Sequence, residues 1–363
     1  MTKFDRRTFV IGSAASAAAA GVSGLGVGRD AHASAPPDRR AAVRGVNADT
    51  DREYWNADFV PGEMATIAND LHANAVILLG HDVDRLMVAA RAAAEHGLGV
   101  WIEARQFDQD AATTLDFVTT VAREAESLRR DHPNVALSVA CEATIFMSGI
   151  VPGADYAERA MNLTNPTRYN TDLNAFLADA VSAVRPIFGG TVTYTSGEWE
   201  EVAWDDFDVL GVDLYRDASN RAGFADHVQS LHRHGKPIVI TEFGCCTFTG
   251  AEDLGGLGFT VIDFSVDPPV IAPEYTRDEA LQAGEIEAQL DIFEAAGVHG
   301  TFVYEFITPG APHIPEYPQY DYDKASFALV KCYAEDHELA YATTGHYEPK
   351  LAFEAVARRF GAP

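Results

Sequence analysis

The segment Pro237-Ile-Val-Ile-Thr-Glu-Phe-Gly244 is a short apolar run that ends in a carboxylate and a glycine. An amphipathic stretch, Gly223–His234, lies before it, and Gly235 stands between the two. A helical pattern that stops at a glycine and is followed by an apolar, β-branched run is typical of one helix–strand unit in a parallel α/β fold. The fold of the chain therefore depends on how often this unit recurs.

The unit recurs from Arg44 to the end of the chain. Short apolar runs predict the strands Arg44–Asn47, Ala75–Gly80, Gly99–Ala104, Val135–Glu142, Thr191–Ser196, Val209–Tyr215, Pro237–Gly244 and Gly300–Phe306. Amphipathic stretches predict the helices Glu63–Leu71, Val83–His96, Ala112–Arg130, Asp172–Phe188, Gly223–His234, Asp278–Ala296 and Pro349–Phe360. Only the gap 198–206 lacks an evident helix. This alternation predicts a single-domain (β/α)₈ TIM barrel over residues 44–363.

A doubly wound open sheet is the alternative arrangement of the same elements. Such a dinucleotide-binding sheet needs a glycine-rich turn after its first strand. The chain has Val46-Asn-Ala-Asp49 there, which contains no glycine. The closed barrel is therefore the favoured interpretation.

The N-terminus is interpreted as a targeting segment. Asp5-Arg-Arg-Thr-Phe-Val10 resembles a twin-arginine export motif, and an Ala- and Gly-rich apolar stretch follows it as far as Val27. Ala31-His-Ala33 is a small-residue cleavage site. We expect residues 1–33 to be a signal peptide, residues 34–43 a short linker, and the protein to be secreted or extracytoplasmic. An uncleaved anchor is the alternative, although the glycines weaken it as a membrane span. No later segment is apolar enough to cross a membrane.

Composition limits the partners of the protein. Acidic residues outnumber basic residues by 54 to 27, for a formal charge of −27. Removal of residues 1–33 takes away four basic and two acidic residues, which leaves −27 − 2 = −29. Such a surface repels phosphate backbones, so we expect no nucleic-acid partner. The four cysteines show no zinc-binding spacing and are expected to be buried thiols. The sequence does not indicate an oligomeric state.

Two of the predicted strands end in a glutamate. Ser138-Val-Ala-Cys-Glu142 closes the fourth strand, and Glu242 lies at the end of the seventh. Burying a carboxylate costs desolvation energy, so its presence at the end of an apolar strand indicates a function. In a barrel both side chains face the same mouth. Cleavage of a glycosidic bond requires such a pair, one an acid and the other a carboxylate that attacks the anomeric carbon.

These motifs resemble the clan A glycoside hydrolases, a group of retaining enzymes on (β/α)₈ barrels. The resemblance implies that Glu142 is the acid/base and Glu242 the nucleophile. Arg44-Gly-Val-Asn47 resembles the first strand of several of these families, and Val212-Asp-Leu-Tyr215 their sixth strand. It further implies that Arg44 and Tyr215 orient the nucleophile. Tyr347-Glu-Pro-Lys-Leu-Ala-Phe353 is similar to the start of their last helix.

A closer resemblance is to barrel proteins often labelled abortive infection protein. Val212-Asp-Leu-Tyr-Arg-Asp217 and Thr241-Glu-Phe-Gly-Cys-Cys246 carry it. Two positions depart from the clan A pattern, because Cys141 replaces the usual asparagine before the acid and Tyr304 replaces the tryptophan of the eighth strand. A non-catalytic barrel that binds carbohydrate or a partner protein therefore remains the alternative function.

Polar and aromatic side chains at other strand ends are candidates for substrate binding: Asn47, His81, Arg105, Trp199, Tyr304 and Glu305. Arg105 could instead pair with Glu103, and Asp82 could cap the next helix. The long segments after the seventh and eighth strands, Cys245–Arg277 and Ile307–Ser326, contain several aromatic residues. These either stack on sugar rings or pack the loops down.

The sequence therefore predicts a secreted retaining glycoside hydrolase that cleaves an oligo- or polysaccharide by double displacement. We expect the carboxyl groups of Glu142 and Glu242 to lie about 5–5.5 Å apart, the separation typical of retaining enzymes. The acid should have a raised pKa and the nucleophile a normal or lowered one. We expect no metal or other cofactor, because a metal-dependent hydrolase on this fold needs His-x-His at the first strand and further histidines at strand ends, and no such set is present.

Overall fold

Eight parallel strands close into a barrel in the computed structural model, which describes residues 40–362. They are β1 (Val43–Asp49), β2 (Ala75–Gly80), β3 (Gly99–Ala104), β4 (Val135–Cys141), β5 (Thr191–Ser196), β6 (Leu210–Asp213), β7 (Ile238–Phe243) and β8 (Gly300–Val303). Each strand pairs with its neighbours in the sequence, and β8 pairs with β1 to close the ring. The predicted (β/α)₈ TIM barrel is confirmed.

Helices connect the strands around the outside of the barrel. They are α1 (Val60–Asn69), α2 (Val83–Glu95), α3 (Ala111–Asp131), α4 (Ala143–Phe146), α5 (Tyr156–Met161), α6 (Pro166–Val184), α7 (Phe224–Ser230), α8 (Ala251–Leu254), α9 (Glu279–Ala296), α10 (Tyr341–Thr344) and α11 (Leu351–Gly361). Short 3₁₀ turns occupy Trp204–Asp206, Leu231–His234, Gly255–Val261, Pro318–Tyr320 and Tyr322–Ala325. Two further strand pairs have two residues each: Ile262–Asp263 pairs with Val270–Ile271 inside the loop after β7, and Val330–Lys331 pairs with Glu348–Pro349 before α11.

The largest differences from the predicted elements lie after β4. The strand ends at Cys141, so Glu142 belongs to the turn that follows it. The short helices α4 and α5 fill the connection to α6, which begins at Pro166, six residues before its predicted start. Helices of four and six residues are too short to show an amphipathic period, which is why the sequence pattern missed them.

The strands are apolar on both faces because the barrel buries both. On β2, Val76 and Leu78 belong to the apolar cluster shared with the surrounding helices, and Ile77 belongs to the cluster that contains Phe302 of β8. A Cβ atom on Gly45 of β1 would lie 2.3 Å from the Phe302 ring. The glycine of the Arg44–Asn47 motif therefore leaves room for an aromatic side chain in the barrel interior.

A buried ionic cluster ties the two long loops to the start of α11. The Lys350 ammonium lies 2.9 Å from Asp323 and donates to Thr247 at 3.1 Å, and Arg277 donates to Asp323 at 2.8 Å. Among the aromatic residues of these loops, Phe248 is fully buried, and Tyr317 is 59% exposed. Most of these rings that the structure describes thus pack the loops against the barrel.

The predicted signal peptide, residues 1–33, and residues 34–39 of the predicted linker lie outside the described residues. No helix within residues 40–362 is long and apolar enough to span a membrane. Cys141, Cys245, Cys246 and Cys332 are all buried and form no disulfide, as expected from the sequence.

Candidate active site

Glu142 occupies a left-handed turn immediately after β4, with φ 39° and ψ 47°. This conformation is unfavourable for a residue with a Cβ atom, at a cost of roughly 1–2 kcal/mol. Backbone hydrogen bonds hold the turn in place. The backbone N–H of Glu142 donates to the Thr195 carbonyl at 2.8 Å, and the backbone carbonyl of Glu142 accepts from the N–H groups of Ile145 and Phe146 at 3.0 Å. The turn directs the residue away from the path of the strand.

The loop after β5 supports this turn through side chains. Glu200 accepts hydrogen bonds from the Thr144 amide at 3.1 Å, from the Thr144 hydroxyl at 2.6 Å and from the Tyr194 hydroxyl at 2.7 Å. The Tyr194 hydroxyl in turn accepts from the Ala143 amide at 2.7 Å. Trp199 donates its indole N–H to the Thr144 hydroxyl at 2.8 Å. The two residues that follow Glu142 are thus fixed by buried polar contacts from β5 and its loop.

The Glu142 carboxyl group itself is 1% exposed, and neither of its oxygens has a hydrogen-bond partner within residues 40–362. Burial raises the pKa of Glu142 well above its usual value, and the charges of Glu242 and Glu200 raise it further. A carboxyl group in such an environment retains its proton near neutral pH and can give it to a leaving oxygen. The direction of this shift agrees with the prediction for the acid.

Glu242, at the end of β7, has the opposite kind of surroundings. Its Oε1 accepts a hydrogen bond from Arg105 at 2.5 Å, and its Oε2 accepts one from the Tyr215 hydroxyl at 3.2 Å. Burial nevertheless raises the pKa of Glu242 to about 7, although Arg105 and Tyr215 both lower it. The expected normal or lowered pKa is therefore wrong, because a carboxyl group that is 1% exposed loses more hydration than these two donors restore.

Arg105 holds the position that the resemblance assigned to Arg44. It lies just after β3, is 1% exposed and bridges Glu242 to Glu103, to which its Nε donates at 2.6 Å. Arg44 lies at the opposite, amino-terminal end of β1, where it donates to the Ala41 carbonyl at 3.1 Å. Arg105 is thus the arginine whose contact with Glu242 is described, and the orienting role of Arg44 stays a prediction.

Asp213 is a third carboxyl group beside this pair. It ends β6, is 3% exposed and accepts a hydrogen bond from the Thr241 hydroxyl at 2.8 Å. Burial raises its pKa well above the usual value, and the charges of Glu242 and Glu142 raise it further. The Cys141 thiol lies 3.6 Å from the other Asp213 oxygen. Cys141 therefore faces carboxyl groups, and burial keeps it a neutral thiol by raising its pKa.

Glu103, Cys141 and Glu242 could in principle hold a metal ion, because one donor atom from each lies within 4.8 Å of the others. The Arg105 guanidinium is 2.5 Å from an oxygen of both Glu103 and Glu242. A positive group therefore already lies between the two carboxylates of this set. The residues fit a buried ion cluster better than a metal centre.

Three further predicted residues lie at the same end of the barrel. Asn47 donates its amide to the Thr241 carbonyl at 3.1 Å, and its side-chain oxygen has no partner in residues 40–362. Tyr304 is 3% exposed. Glu305 accepts from the Thr308 hydroxyl at 2.6 Å, and burial together with the charge of Asp49 raises its pKa to about 8.

The described polar contacts of the remaining two predicted substrate-binding residues are with residues other than Glu142 and Glu242. His81 follows β2, its side chain is 63% exposed, and its Nδ1 lies 2.6 Å from Asp51. Trp199 is partly buried and serves the turn after β4 through its bond to Thr144. His81 makes its described polar contacts with Asp51 and not with the paired glutamates.

Asp213 and Glu200 were not identified from the sequence. Asp213 is preceded by the apolar Leu210–Val212 and has the same strand-end signal as Glu242, so a search for every carboxylate at a strand end would have found it. Glu200 lies in a loop among the acidic residues Glu198 and Glu201, and such a run normally indicates a solvated surface. Its role depends on the left-handed turn, for which the sequence carries no signal.

No protein-family model matches this chain, and no curated protein matches it. Solved structures do match it. A GH113 β-1,4-mannanase is similar with a TM-score of 0.58 and 14% identity, covering 89% of this chain and 100% of the mannanase. The GH113 β-mannanase AaManA from Alicyclobacillus acidocaldarius gives a TM-score of 0.58 and 17% identity, over 89% of this chain and 98% of that one.

A glycoside hydrolase family 5 enzyme, PbGH5A from Prevotella bryantii B14, is also similar, with a TM-score of 0.52 and 12% identity, over 87% of this chain and 95% of that one. At such low identities the likeness is one of fold. The structural neighbours are thus glycoside hydrolase barrels of the type that the sequence motifs resembled, and they confirm the fold that this resemblance implied.

Proposed function

We propose that this protein is a retaining glycoside hydrolase whose acid/base is Glu142 and whose nucleophile is Glu242. The observation that carries the proposal is the asymmetry of the two buried carboxyl groups. The Glu142 oxygens accept no hydrogen bond within residues 40–362, whereas Glu242 accepts bonds from Arg105 and Tyr215. Of the two groups, Glu242 therefore ionises first, and Glu142 keeps its proton.

The chemistry follows from this order of ionisation. The Glu242 carboxylate bonds to the anomeric carbon while the bond from that carbon to the leaving oxygen breaks, and Glu142 gives that oxygen its proton. Water then attacks the same carbon, transfers a proton to Glu142 and releases Glu242. Arg105 and Tyr215 hold the Glu242 carboxylate in one orientation, which reduces the entropy lost on reaching the transition state.

The substrate class in this proposal is an oligo- or polysaccharide. The mannanases and the family 5 enzyme share the fold at 12–17% identity, so they support a carbohydrate substrate without naming the sugar. Both carboxyl groups are 1% exposed, so a sugar ring must displace side chains at the barrel mouth in order to reach them.

A test begins with a panel of aryl glycosides of both anomeric configurations, with release of the aryl alcohol as the readout. We expect turnover of at least one member, and we expect NMR spectra of the first-formed sugar to show the anomeric configuration of the substrate. The Glu242→Gln variant should be inactive on the same substrate. Glu338→Gln, on an exposed glutamate, is the matched control and should keep full activity.

The outcomes separate the mechanisms. A first product of inverted configuration would rule out the double displacement while keeping a glycosidase. Absence of turnover on the whole panel, with calorimetric binding of oligosaccharides retained, would favour the alternative of a non-catalytic carbohydrate-binding barrel.

We further propose that the enzyme acts outside the cytoplasm after twin-arginine export. The support is the sequence of residues 1–33, in which Arg6 and Arg7 precede an apolar stretch and a small-residue cleavage site. Replacement of both arginines by lysine should leave the full-length protein inside the cell, as judged by fractionation and immunoblotting. Unchanged export of the double variant would contradict the targeting proposal without affecting the enzymatic one.

A further inference from the structure

The candidate site contains more negative groups than its reaction needs. Besides Glu142 and Glu242, the carboxyl groups of Glu103 and Asp213 are buried next to them, with exposures of 1% and 3%. Arg105 is the cation that contacts this group. With Glu142 protonated as the acid and the other three carboxyl groups ionised, the formal charge of the five residues is −3 + 1 = −2.

The site also has several buried oxygen atoms without a hydrogen-bond partner. Oε2 of Glu103, Oδ1 of Asn47 and both oxygens of Glu142, one of which carries the proton of the acid, are buried without a partner in residues 40–362. A buried acceptor without a hydrogen-bond partner is unfavourable, and a charged one more so. A ligand that matches these atoms supplies several hydrogen-bond donors, and preferably a positive charge.

Cys141 lies beside these carboxyl groups, at a position where they could contact a bound sugar. One donor atom of Cys141 is within 4.8 Å of an oxygen of Glu242, and the thiol is 3.6 Å from Asp213. When the anomeric carbon is in contact with Glu242, the substituent atom on the adjacent ring carbon is two bonds away and can lie next to Cys141. A thiol is a weak hydrogen-bond donor and carries no charge when protonated. It therefore leaves the nearby carboxyl groups uncompensated.

We propose that the sugar ring attacked by Glu242 carries an ammonium group, as in a 2-amino-2-deoxy sugar, and that this group binds beside Cys141 to Asp213 and Glu103. An ammonium offers three donors and a positive charge. A hydroxyl at the same carbon offers one donor and no charge. An N-acetyl group is neutral and turns a carbonyl oxygen toward carboxyl groups that cannot donate once ionised.

The charge of the whole chain favours the same class of substrate. A net charge of −27 attracts a polymer of amino sugars, which is a polycation, and gives no such advantage to a neutral glycan. This inference rests on the proposed glycoside hydrolase activity, and it adds to that activity the identity of the substituent next to the reacting carbon.

The test compares matched aryl glycosides that differ only at that carbon, which carries a free amine, a hydroxyl or an N-acetyl group. At a pH that keeps the amine protonated, we expect kcat/KM for the amine to exceed that for each of the other two by roughly tenfold or more. Asp213→Asn should reduce this ratio by a similar factor. Cys141→Asn, which places a neutral donor in the same space, should also reduce it. Asp336→Asn, on the exposed surface, is the matched control and should keep the wild-type ratio.

Failure of this inference and failure of the proposed function are distinguishable. Turnover of the hydroxyl or N-acetyl substrates at least as fast as the amine, with a ratio unaffected by Asp213→Asn, would overturn the ammonium site and leave a glycosidase. Should no substrate be cleaved, calorimetry with a glucosamine disaccharide and with cellobiose decides. Tighter binding of the diamine supports the site without the reaction, and equal affinities overturn it. The same calorimetry on Cys141→Asn provides a check if Asp213→Asn does not fold.

Discussion

The turn after β4 and the end of β7 each carry one buried glutamate, and the two carboxyl groups differ in the hydrogen bonds that they accept. Around Glu142 the polar contacts are made to the backbone and to the Thr144 side chain. The Glu142 carboxyl group accepts no hydrogen bond within the described chain. Around Glu242 the contacts go to the carboxyl group itself, from Arg105 and Tyr215. Both side chains are equally buried, at 1% exposure.

In the proposed function, this difference is what lets one barrel mouth use the same residue type as acid and as nucleophile. Burial raises the pKa of both glutamates, and the charge of Arg105 opposes the rise in both, but only Glu242 also has described hydrogen bonds that lower its pKa. Two titratable groups whose surroundings separate their pKa values are the usual arrangement for acid/base assignments. The order of ionisation therefore comes from neighbouring donors and not from depth of burial.

The most direct way to break this comparison is to remove each glutamate in turn. Glu242→Ala should lower turnover of every substrate on the order of 10⁴-fold or more, because no covalent intermediate can form. Glu142→Ala should spare the first step on aryl glycosides with good leaving groups, and added azide should restore the second step as a glycosyl azide product. Steady-state rates with and without azide measure the contrast. Equal and unrescued loss in both variants would show that the roles are misassigned.

Arg105 offers a sharper test of the β7 side. Arg105→Lys keeps the charge but replaces a planar guanidinium that bridges two carboxylates with a single ammonium. We expect kcat to fall on the order of 10²-fold. The wild-type rate should rise as pH increases through about 7, where Glu242 loses its proton, and fall at higher pH as Glu142 ionises. Weaker stabilisation of the carboxylate should move the acidic limb of the variant to higher pH.

Arg130→Lys, on a side chain that is 74% exposed, is the matched control for this measurement. Its pH profile should coincide with that of the wild type. An acidic limb that stays in place in Arg105→Lys, despite a lower rate, would mean that Arg105 supports the fold and does not set the ionisation of Glu242.

Glu200 tests the β4 side, where the smallest effect is expected. Glu200→Gln converts a carboxylate that accepts several hydrogen bonds into an amide, which should loosen the turn that places Glu142. We expect kcat to fall roughly tenfold on substrates with poor leaving groups, which depend on the acid, and little on activated ones. The measured quantity is the dependence of kcat/KM on leaving-group pKa, which should become steeper.

The adjacent Glu201→Gln is the control for Glu200, because the Glu201 side chain is exposed and its described hydrogen bonds are made by its backbone. A uniform loss across all leaving groups in Glu200→Gln would indicate a general effect on the fold. It would remove Glu200 from the set of residues that position the acid.

The barrel and its paired glutamates were accessible from the sequence. Burial of both strand faces makes strands such as β2 and β7 nearly continuous apolar runs, and helix-length stretches between the runs leave a parallel ring as the favoured arrangement. Glu242 departs from this pattern at the end of an apolar strand, and Glu142 departs from it one residue beyond one. Tyr215 could be placed beside Glu242 because a short motif near the end of β6 carries it.

The assignment of the arginine needed the tertiary structure. A motif placed Arg44 near the nucleophile, but Arg44 belongs to the amino-terminal part of β1, and the arginine in contact with Glu242 comes from the end of β3. Sequence patterns report which faces of an element are buried, and they carry no information on how far along a strand a side chain lies from a distant partner. The same limit hid the contact of Cys141 with Asp213, which are 72 residues apart.

The sequence alone therefore determined the class of fold and the two carboxylates, because both are consequences of local patterning: apolar runs of strand length and charged residues that interrupt them. The tertiary structure alone decided which glutamate lacks hydrogen-bond donors, which arginine contacts Glu242 and how many further carboxyl groups share the site. Those properties depend on desolvation and on distances between residues of different strands, and the closure of the ring is what sets both.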